Sequence, residues 1–552
     1  MKEVNIEKQS WLPGAEDWCK SEGVDSLSSD YGFFENLEQQ PGPEYGLLDD
    51  IQFVVSPPLQ TCKEEITECG KIPSPDPDVE SKKEKGHSVS LAALKLLNNY
   101  GSGIQWLNEK RTVESNSNTA CTEVAKQGLS TEEIIRVAGA RFIQFSSQAA
   151  NFPSMLSHPF EGSFLDLTNG EIRDVELVEF LLASAEKVEC QQFERASKLL
   201  NHCYCLSSNT GNPVQRLVYY FSEALREKIN RETAGRFTSK DFGKNQSFDV
   251  DEAMRTLNPT KLAFHREIPF AQLAQFSGVQ AIVENVSEAK KIHIIDLEIR
   301  NGMQWTILMQ SLASRNDCPL ELLKISAVGT TSRHLIESTC KWLLSFAQTL
   351  NLPFFFKIVM VSDMVDLKED HFELDADETV AVYSYYALRT MLSKPNHLES
   401  LMRVIKNIIP CVMVVTEVEG NLNSPAFVNR FIEALFFFGA YFDCLEACMK
   451  RDDVNRTTAE SLYFGHGIEN ILAADGEERK TRHVKIDVWR AFFSRFGLVE
   501  AELSTASLFQ AKLVLNNFSC GSSCTLDMNG KCLLIGWKGT PLESLSLWKF
   551  LS

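Results

Sequence analysis

The sequence predicts an α/β protein built on a doubly wound, mostly parallel sheet, with an N-terminal helical cap and a disordered tail in front of it. Three observations carry this prediction. After residue 287, short apolar runs rich in β-branched residues alternate with segments of helical spacing, as in a parallel sheet. Before that point, apolar stripes at helical spacing dominate. The first 90 residues are rich in proline and acidic side chains, and offer little apolar surface to offset the entropy of ordering.

The N-terminal half divides into a tail and a helical region. Residues 1–127 are predicted to be largely disordered, and the ordered domain is predicted over residues 128–552. Ser130 and Glu133 have the spacing of a capping box at the start of the first helix. Further helical stripes follow between residues 175 and 231. We therefore assign the helical cap to about 128–286 and the α/β core to about 287–552.

The clearest strand of the core lies in the segment KIHIIDLEIRNGMQW, residues 291–305. Ile292, Ile294 and Ile295 form a short apolar run of the kind that is buried on both faces of a sheet. The run ends at Asp296, Gly302 supplies a turn, and helical spacing begins after it. Because ligands of parallel α/β sheets bind beyond the carboxyl ends of the strands, the loop after Asp296 is the first place to look for a site.

The remaining strands and helices follow in alternation. Strands are predicted over residues 320–328, 354–361, 379–383 and 411–417, with helices over 335–350, 398–409 and 427–438. Near the C-terminus, an apolar segment at 510–515 precedes a polar turn at 519–530, and a strand is predicted at 532–537. This arrangement predicts a hairpin between the two apolar segments.

Composition narrows the functional classes. The chain has 55 Lys and Arg residues against 74 Asp and Glu residues, a formal net charge of −19. Without a basic run, such a chain is repelled by phosphates, so strong direct DNA binding is not expected.

No apolar segment has the length of a membrane span. The 15 cysteines show no disulfide framework, which favours a reducing compartment. Cys520, Cys524 and Cys532 fit no standard zinc spacing, and we expect no metal.

The central segment resembles a known motif. It is similar to the VHIID motif of the GRAS family of plant regulatory proteins, with Ile in place of the first Val. The residues that fit are Ile292, His293, Ile294, Ile295, Asp296, Gly302, Gln304 and Trp305. The flanking regions follow the family's motif order from about residue 175 to 550. Two leucine-rich regions flank the motif, at 175–200 and 335–350.

The C-terminal region continues the resemblance. Arg479, Arg482 and His483 lie in a segment similar to the family's PFYRE region, although Ala474 and Asp475 replace the usual Cys and Glu. Trp537 and Trp548 lie in a segment similar to the SAW region, whose final motif reads Ser-Leu-Trp here. The predicted helix at 130–144 and the compact first leucine-rich region resemble the DELLA-like branch of the family. Its tail contains no DELLA sequence, so binding of a gibberellin receptor through that motif is not expected.

The resemblance implies a nuclear transcriptional regulator that is not an enzyme and needs no cofactor. It would act by binding DNA-binding transcription factors and, as a second class of partner, other GRAS proteins in homo- or heterodimers. The residues proposed to contact partners come from the leucine-rich regions: Leu177, Leu181, Leu182, Leu199, Leu200, Leu335, Leu343 and Leu344. Since Leu181 and Leu182 point about 100° apart on a helix, we expect one to face the core and the other a neighbouring helix or a partner.

The alternative is a Rossmann-like enzyme that binds a small molecule or uses S-adenosylmethionine to transfer methyl groups. Cofactor loops in such enzymes are rich in glycine, whereas this loop has one glycine, at its end, and Glu298 and Arg300 would crowd a cofactor. A buried, hydrogen-bonded His293 is favoured over a catalytic base. Asp296 is expected to accept backbone N–H bonds that orient the Gly302 turn.

Three further expectations concern charged and aromatic side chains. Asp296, Glu417 and Glu419 are expected at one edge of the sheet, where they would favour basic partners. Trp305, Trp537 and Trp548 are expected in the core. Arg479, Arg482 and His483 are expected to anchor the C-terminal region by pairing with acidic side chains, or else to be solvated.

Overall fold

The computed structural model describes residues 128–148, 167–237 and 258–551. The predictions for residues 1–127, including the disordered tail, lie outside this part of the chain. The helices are α1 (Thr131–Gln148), α2 (Asn169–Glu189), α3 (Phe193–Leu206), α4 (Pro213–Phe237), α5 (Pro259–Glu267), α6 (Phe270–Asn285), α7 (Met303–Ala313), α8 (Arg333–Thr349), α9 (Pro395–Ile408), α10 (Phe427–Cys448), α11 (Val454–Thr458), α12 (His466–Leu472), α13 (Ile486–Ser494) and α14 (Thr505–Asn516).

The described strands form one mixed sheet. They are β1 (Lys291–Asp296), β2 (Leu322–Gly329), β3 (Phe354–Met360), β4 (Thr379–Tyr385), β5 (Val412–Val418), β6 (Leu498–Ala501), β7 (Cys524–Asn529), β8 (Cys532–Trp537) and β9 (Thr540–Phe550). The order is β3-β2-β1-β4-β5-β9-β8-β7, and β6 also pairs with β9. Strands β1 to β5 are parallel, and the pairs that involve β6 to β9 are antiparallel. The chain winds from β1 outward to β3 and then returns to place β4 on the other side of β1. The predicted doubly wound α/β fold is therefore confirmed.

The two faces of the sheet are covered by different helices. Ile292 and Ile294 of β1 face one hydrophobic core that includes α1, α2, α4, α6 and α10. Ile295, on the opposite face, belongs to a second core with α9 and α13. This alternation is what a strand buried on both faces requires, because successive side chains point to opposite sides.

The helices before β1 begin as the capping-box pattern predicts. Ser130 Oγ accepts the N–H of Glu133 at 3.3 Å, and Glu133 Oε2 accepts the N–H of Ser130 at 2.7 Å. Two N–H groups at the helix start are thereby satisfied. Helix α2 begins with a second capping box, formed by Thr168 and Glu171, that the sequence analysis did not identify.

The predicted C-terminal hairpin is wrong in its first segment. Residues 510–515 belong to helix α14, and Ser504 is the N-cap residue before it, with its Oγ accepting the N–H of Ser507 at 3.0 Å. Ser507, Ala511 and Val514 are the buried residues of this helix, and their spacing of four and three residues is helical rather than alternating. The strand that pairs with β8 is instead β7, which was mistaken for part of a polar turn because only its first residue is buried.

Helix α10 is longer than predicted and joins the cap to the sheet. It runs ten residues past Phe438 to Cys448, and 17 of its 22 residues are buried. Gly439 allows α1 to approach closely, since a Cβ there would lie 2.8 Å from Ile135 Cδ1. Phe431 packs edge-to-face on Phe221 of α4, with ring centroids 5.5 Å apart. A helix that is apolar on all sides must be enclosed on all sides.

We expect Phe431→Ala to destabilise the whole domain, because the side chain is buried between the cap and the core. Removal of a buried phenylalanine side chain typically costs about 3–5 kcal/mol of unfolding free energy. Phe509→Ala is the matched control, since Phe509 lies on α14 and is 55% exposed. The unfolding free energy of Phe509→Ala should stay within about 0.5 kcal/mol of the wild-type value. Urea unfolding monitored by circular dichroism measures both variants. Equal losses for both variants would contradict this role of α10.

Candidate functional site

The candidate site lies where the order of the parallel strands reverses. Strands β1 and β4 are neighbours, but the chain leaves β1 toward β2 and leaves β4 toward β5. The loops after these two strands therefore diverge, and a crevice opens between them at the carboxyl edge of the sheet. Residues 297–302 follow β1, and residues 386–391 follow β4.

Asp296 at the end of β1 holds the first of these loops together. Its Oδ1 accepts the backbone N–H of Glu298 at 3.1 Å, and its Oδ2 accepts Trp305 Nε1 at 2.9 Å and Gln304 Nε2 at 3.2 Å. The predicted structural role is confirmed, with two side-chain donors added to the predicted backbone donor. Burial raises the pKa of Asp296 to about 7, although the bond from Trp305 acts in the opposite direction. Both of its oxygens are engaged by the protein itself.

Gly302 is needed for packing against α8. It has a φ of 67°, and a Cβ would lie 2.8 Å from Thr339 Cγ2 and 3.1 Å from Leu343 Cδ1. Thr339 Oγ1 also donates to the Arg300 carbonyl at 3.1 Å. In dinucleotide-binding loops, glycine lets the backbone approach the phosphates. Here the one glycine of residues 297–302 lets the loop approach a helix instead.

His293 is a buried structural histidine, as predicted. Its Nδ1 lies 2.9 Å from Glu378 Oε2, and its Nε2 lies 2.8 Å from Ser326 Oγ. Burial and the nearby ammonium group of Lys324 lower the pKa of His293 to about 3. The ring is therefore neutral, and both nitrogens are satisfied within the sheet.

The acidic residues at the sheet edge do not form an exposed negative surface. Glu417 is buried and accepts the N–H of Leu388 at 2.9 Å, and Glu419 is buried and accepts the N–H of Ile486 at 3.0 Å. Burial raises the pKa of Glu417 to about 8 and that of Glu419 to about 7. The expectation that these groups attract basic partners is therefore wrong, because they fix loops inside the protein.

A cleft of about 1810 Å³ opens above the crevice, between the sheet edge and helices α4 to α6 and α10. Glu298 and Arg300 line it from the loop after β1. Tyr385, Tyr386 and Arg389, which line it from the end of β4 and the loop that follows, were not identified from the sequence. The available signal was the segment Tyr-Tyr-Ala-Leu-Arg directly after the predicted strand 379–383.

The leucines proposed to contact partners fall into two groups. Five of them are buried in the monomer: Leu177, Leu181, Leu182, Leu200 and Leu343. Of the two alternatives for the outward-pointing leucine, a neighbouring helix or a partner, the structure shows the neighbouring helix, because Leu182 packs against α1 and α10. Leu199 and Leu335 are half-buried, and Leu344 is 37% exposed. Among the eight leucines proposed to contact partners, these three have exposed apolar surface.

The aromatic and basic residues of the C-terminal region are structural. Trp305, Trp537 and Trp548 are buried, as expected. Arg479 Nη2 and Arg482 Nη1 both donate to Asn423 Oδ1, at 3.1 and 3.0 Å. These bonds anchor the segment through an amide and not through the expected acidic side chains. His483 is buried at the rim of the cleft.

The described residues also bear on two other features, a membrane span and a metal site. Among the helices of residues 128–148, 167–237 and 258–551, none combines the length and apolarity of a membrane span. The same ranges hold no group of three or more His, Cys, Asp or Glu side chains placed to bind a metal ion. Cys520, Cys524 and Cys532 are buried thiols.

Comparison with known proteins identifies the family that has this architecture. Residues 177–549 match the GRAS domain family. The chain is 30% identical to DELLA protein RGA of Arabidopsis thaliana over 69% of this chain and 63% of RGA, so it spans less than two thirds of that relative. It is also 30% identical to DELLA protein RGL1 of the same plant, over 68% of this chain and 70% of RGL1. The crystal structure of SCL7 from Oryza sativa superimposes with a TM-score of 0.59 at 25% identity, covering 68% of this chain and 99% of SCL7.

The raised pKa of Glu417 predicts a pH dependence of stability. An unfolded glutamate has a pKa of about 4.3, so between about pH 4 and 8 the unfolded chain releases a proton that the folded protein keeps. The contribution of Glu417 is therefore complete below about pH 4 and is lost as the pH rises through about 8. Each such group lowers the unfolding free energy by up to about 1.4 kcal/mol per pH unit.

Glu417→Gln keeps an oxygen for the Leu388 N–H and removes the titration. We expect its unfolding free energy to fall less steeply than that of the wild type between pH 5 and 8. Glu337→Gln, at an exposed position on α8, is the control and should retain the wild-type slope. Urea unfolding at four pH values measures this, and parallel curves for wild type and Glu417→Gln would contradict the assignment.

Proposed function

The chain belongs to the GRAS domain family, and we propose that it is a plant transcriptional regulator that acts in the nucleus by binding other proteins. The observation that carries the proposal is the match over residues 177–549 together with the DELLA proteins among its relatives. The partners would be DNA-binding transcription factors and other GRAS proteins. The protein would reach its target genes through them, since a net charge of −19 does not favour contact with phosphates.

The environment of the central motif supports a role without catalysis. A methyltransferase or dehydrogenase of this fold uses the loop after β1 to hold its cofactor. In this loop, Asp296 is engaged by Glu298, Gln304 and Trp305, and Gly302 is packed against α8. The residue types of the motif are therefore accounted for by the contacts that fold the loop. We propose that it positions α7 and α8 and carries out no reaction.

Helix α8 offers the surface that best fits the proposed partner contacts. Leu343 is fully buried, and the adjacent Leu344 is 37% exposed. Leu335 lies two turns earlier on the helix and is half-buried. Partner interfaces are built around apolar anchors of this kind, surrounded by polar groups. We therefore move the proposed contact from Leu181 and Leu182 to the outer face of α8.

The proposal predicts activity without intrinsic DNA recognition. A fusion to a heterologous DNA-binding domain should change expression of a matching reporter in plant cells, and a fluorescent fusion should accumulate in the nucleus. The purified chain alone should shift duplex DNA only weakly and without sequence preference at physiological salt. A sequence-specific shift by the chain alone would contradict the proposed mode of action, and an unchanged reporter would contradict the regulatory role.

Adjacent leucines allow stability and binding to be separated. Leu343→Ala should lower the unfolding free energy by about 2–5 kcal/mol, since it empties a buried site. Leu344→Glu should leave the unfolding free energy within about 0.5 kcal/mol and reduce the recovery of transcription-factor partners in immunoprecipitation from plant nuclei. Val499→Glu, at a position 39% exposed on β6, is the control and should recover partners normally. Normal recovery with Leu344→Glu would place the interface elsewhere.

A further inference from the structure

The cleft at the sheet edge has a floor that is rich in arginine and tyrosine. Arg300 enters it from the loop after β1, and Arg389 from the loop after β4. The Arg300 guanidinium lies 5.9 Å from the ring centre of Tyr385 and 5.5 Å from that of Tyr386. The Arg389 guanidinium lies 5.2 Å from the ring centre of Tyr386. The two cations thus flank one aromatic pair at the bottom of the cleft.

Arg300 has unused hydrogen-bonding capacity in this position. The residue is buried, and its Nε and Nη2 have no hydrogen-bond acceptor within the described protein. Its one recorded ion pair joins Nη2 to Glu298 Oε1 at 3.4 Å. A buried guanidinium without acceptors costs free energy unless another group supplies them. The geometry of two adjacent N–H donors matches the two oxygens of a carboxylate.

The other acidic groups at the floor do not balance the two arginines. Burial raises the pKa of Glu543 to about 7 and that of Glu417 to about 8, so both carboxyl groups carry protons for much of the time near neutral pH. Glu298 is the carboxylate that pairs with Arg300, at a distance of 3.4 Å. A carboxylate would supply the acceptors that Arg300 Nε and Nη2 lack within the described protein.

Part of the wall above this floor is aromatic. Seven aromatic residues from α5, α6, α10 and the π-helical segment Ala459–Gly465 line the cleft, namely Phe264, Phe270, Phe437, Phe438, Tyr441, Tyr463 and Phe464. Phe464 joins them, with its ring centre 6.0 Å from that of Phe264, 6.0 Å from that of Phe438 and 5.1 Å from that of Tyr441. Such a wall suits rings or aliphatic chains rather than sugars or phosphates.

Two backbone features in the same place are typical of ligand sites. Tyr386 has a φ of 58°, in the left-handed region that side chains other than glycine rarely adopt. Strain of this kind persists where the surrounding structure enforces it and is concentrated at functional sites. The π-helical segment lines the opposite wall, and such segments are also frequent at functional sites.

We propose that the inner part of this cleft binds a small, largely apolar carboxylic acid, whose carboxylate pairs with Arg300 and whose body packs on the aromatic wall. The whole cleft is larger than the 300–1,000 Å³ or so that drug-sized ligands occupy, so the ligand fills its inner end. Phosphate esters and S-adenosylmethionine fit less well, because neither combines one negative charge with an apolar body. The site is separate from the partner surface proposed on α8.

The experiment compares 1-pyrenebutyrate with 1-pyrenebutanol, which has the same ring system and no charge. Fluorescence titrations of the full-length protein should show saturable 1:1 binding of the acid. The alcohol should bind about tenfold more weakly or worse, as expected for loss of a charged hydrogen-bonded pair. Arg300→Met should lower the affinity for the acid to that for the alcohol, and it should leave the affinity for the alcohol unchanged. Arg333→Met, at an exposed position on α8, is the control and should bind both as the wild type does.

A second variant keeps the test decisive if Arg300→Met does not fold. Ala271→Trp places a large side chain in the cleft from α6, leaves both arginines in the sequence, and should weaken the binding of both probes. Thermal melting of each variant establishes that it is folded. Equal affinity of the wild type for the acid and the alcohol would overturn the proposal. Absence of saturable binding of the acid, or wild-type binding by a folded variant of either kind, would overturn it as well.

Discussion

The rest of the structure depends on the burial of α10 on every side. A helix with so many aromatic residues is stable in water only when other elements enclose it, and here the enclosing elements are the cap helices and the sheet. Asp443 on this helix lies 3.0 Å from Trp537 Nε1 of β8 and also accepts a hydrogen bond from Thr131 of α1. The cap therefore cannot detach without exposing the core of the sheet, and the two regions share one hydrophobic core.

A buried ionic network extends this constraint to the wall of the cleft. Arg216 of α4 pairs with Glu446 of α10 at 2.9 Å and with Glu460 of the π-helical segment at 3.1 Å, and Arg456 pairs with Glu460 at 3.1 Å. Buried charges destabilise a protein unless their partners are held in place. Four elements, namely α4, α10, α11 and the π-helical segment, are thereby fixed relative to one another, so the aromatic residues that α10 and the π-helical segment contribute to the wall keep their position above the sheet edge.

The parts that sequence predicted well are those where local pattern and burial agree. The parallel strands could be recognised because burial on both faces makes them almost wholly apolar, and Asp296 and His293 could be assigned structural roles from their place on such a strand. The burial of Leu182 and the position of Arg300 could not be predicted for one shared reason, which is that both depend on distant elements. Leu181 and Leu182 are both buried because α1 and α10 cover the second side of α2, and Arg300 lies in a cleft because α4 to α6 pass above it.

The same dependence explains how this fold forms a crevice whose loop residues are held by the protein itself. The doubly wound order makes the loops after β1 and β4 diverge whatever residues they contain. Asp296 and Gly302, which in a cofactor enzyme would face the ligand, are engaged by Trp305 and by α8. What remains open is the side of the crevice that faces the cap, and its character is set by Arg300 and the aromatic residues above it. Partner contacts on the outer face of α8 and a ligand in the cleft would thus use opposite sides of the same loop.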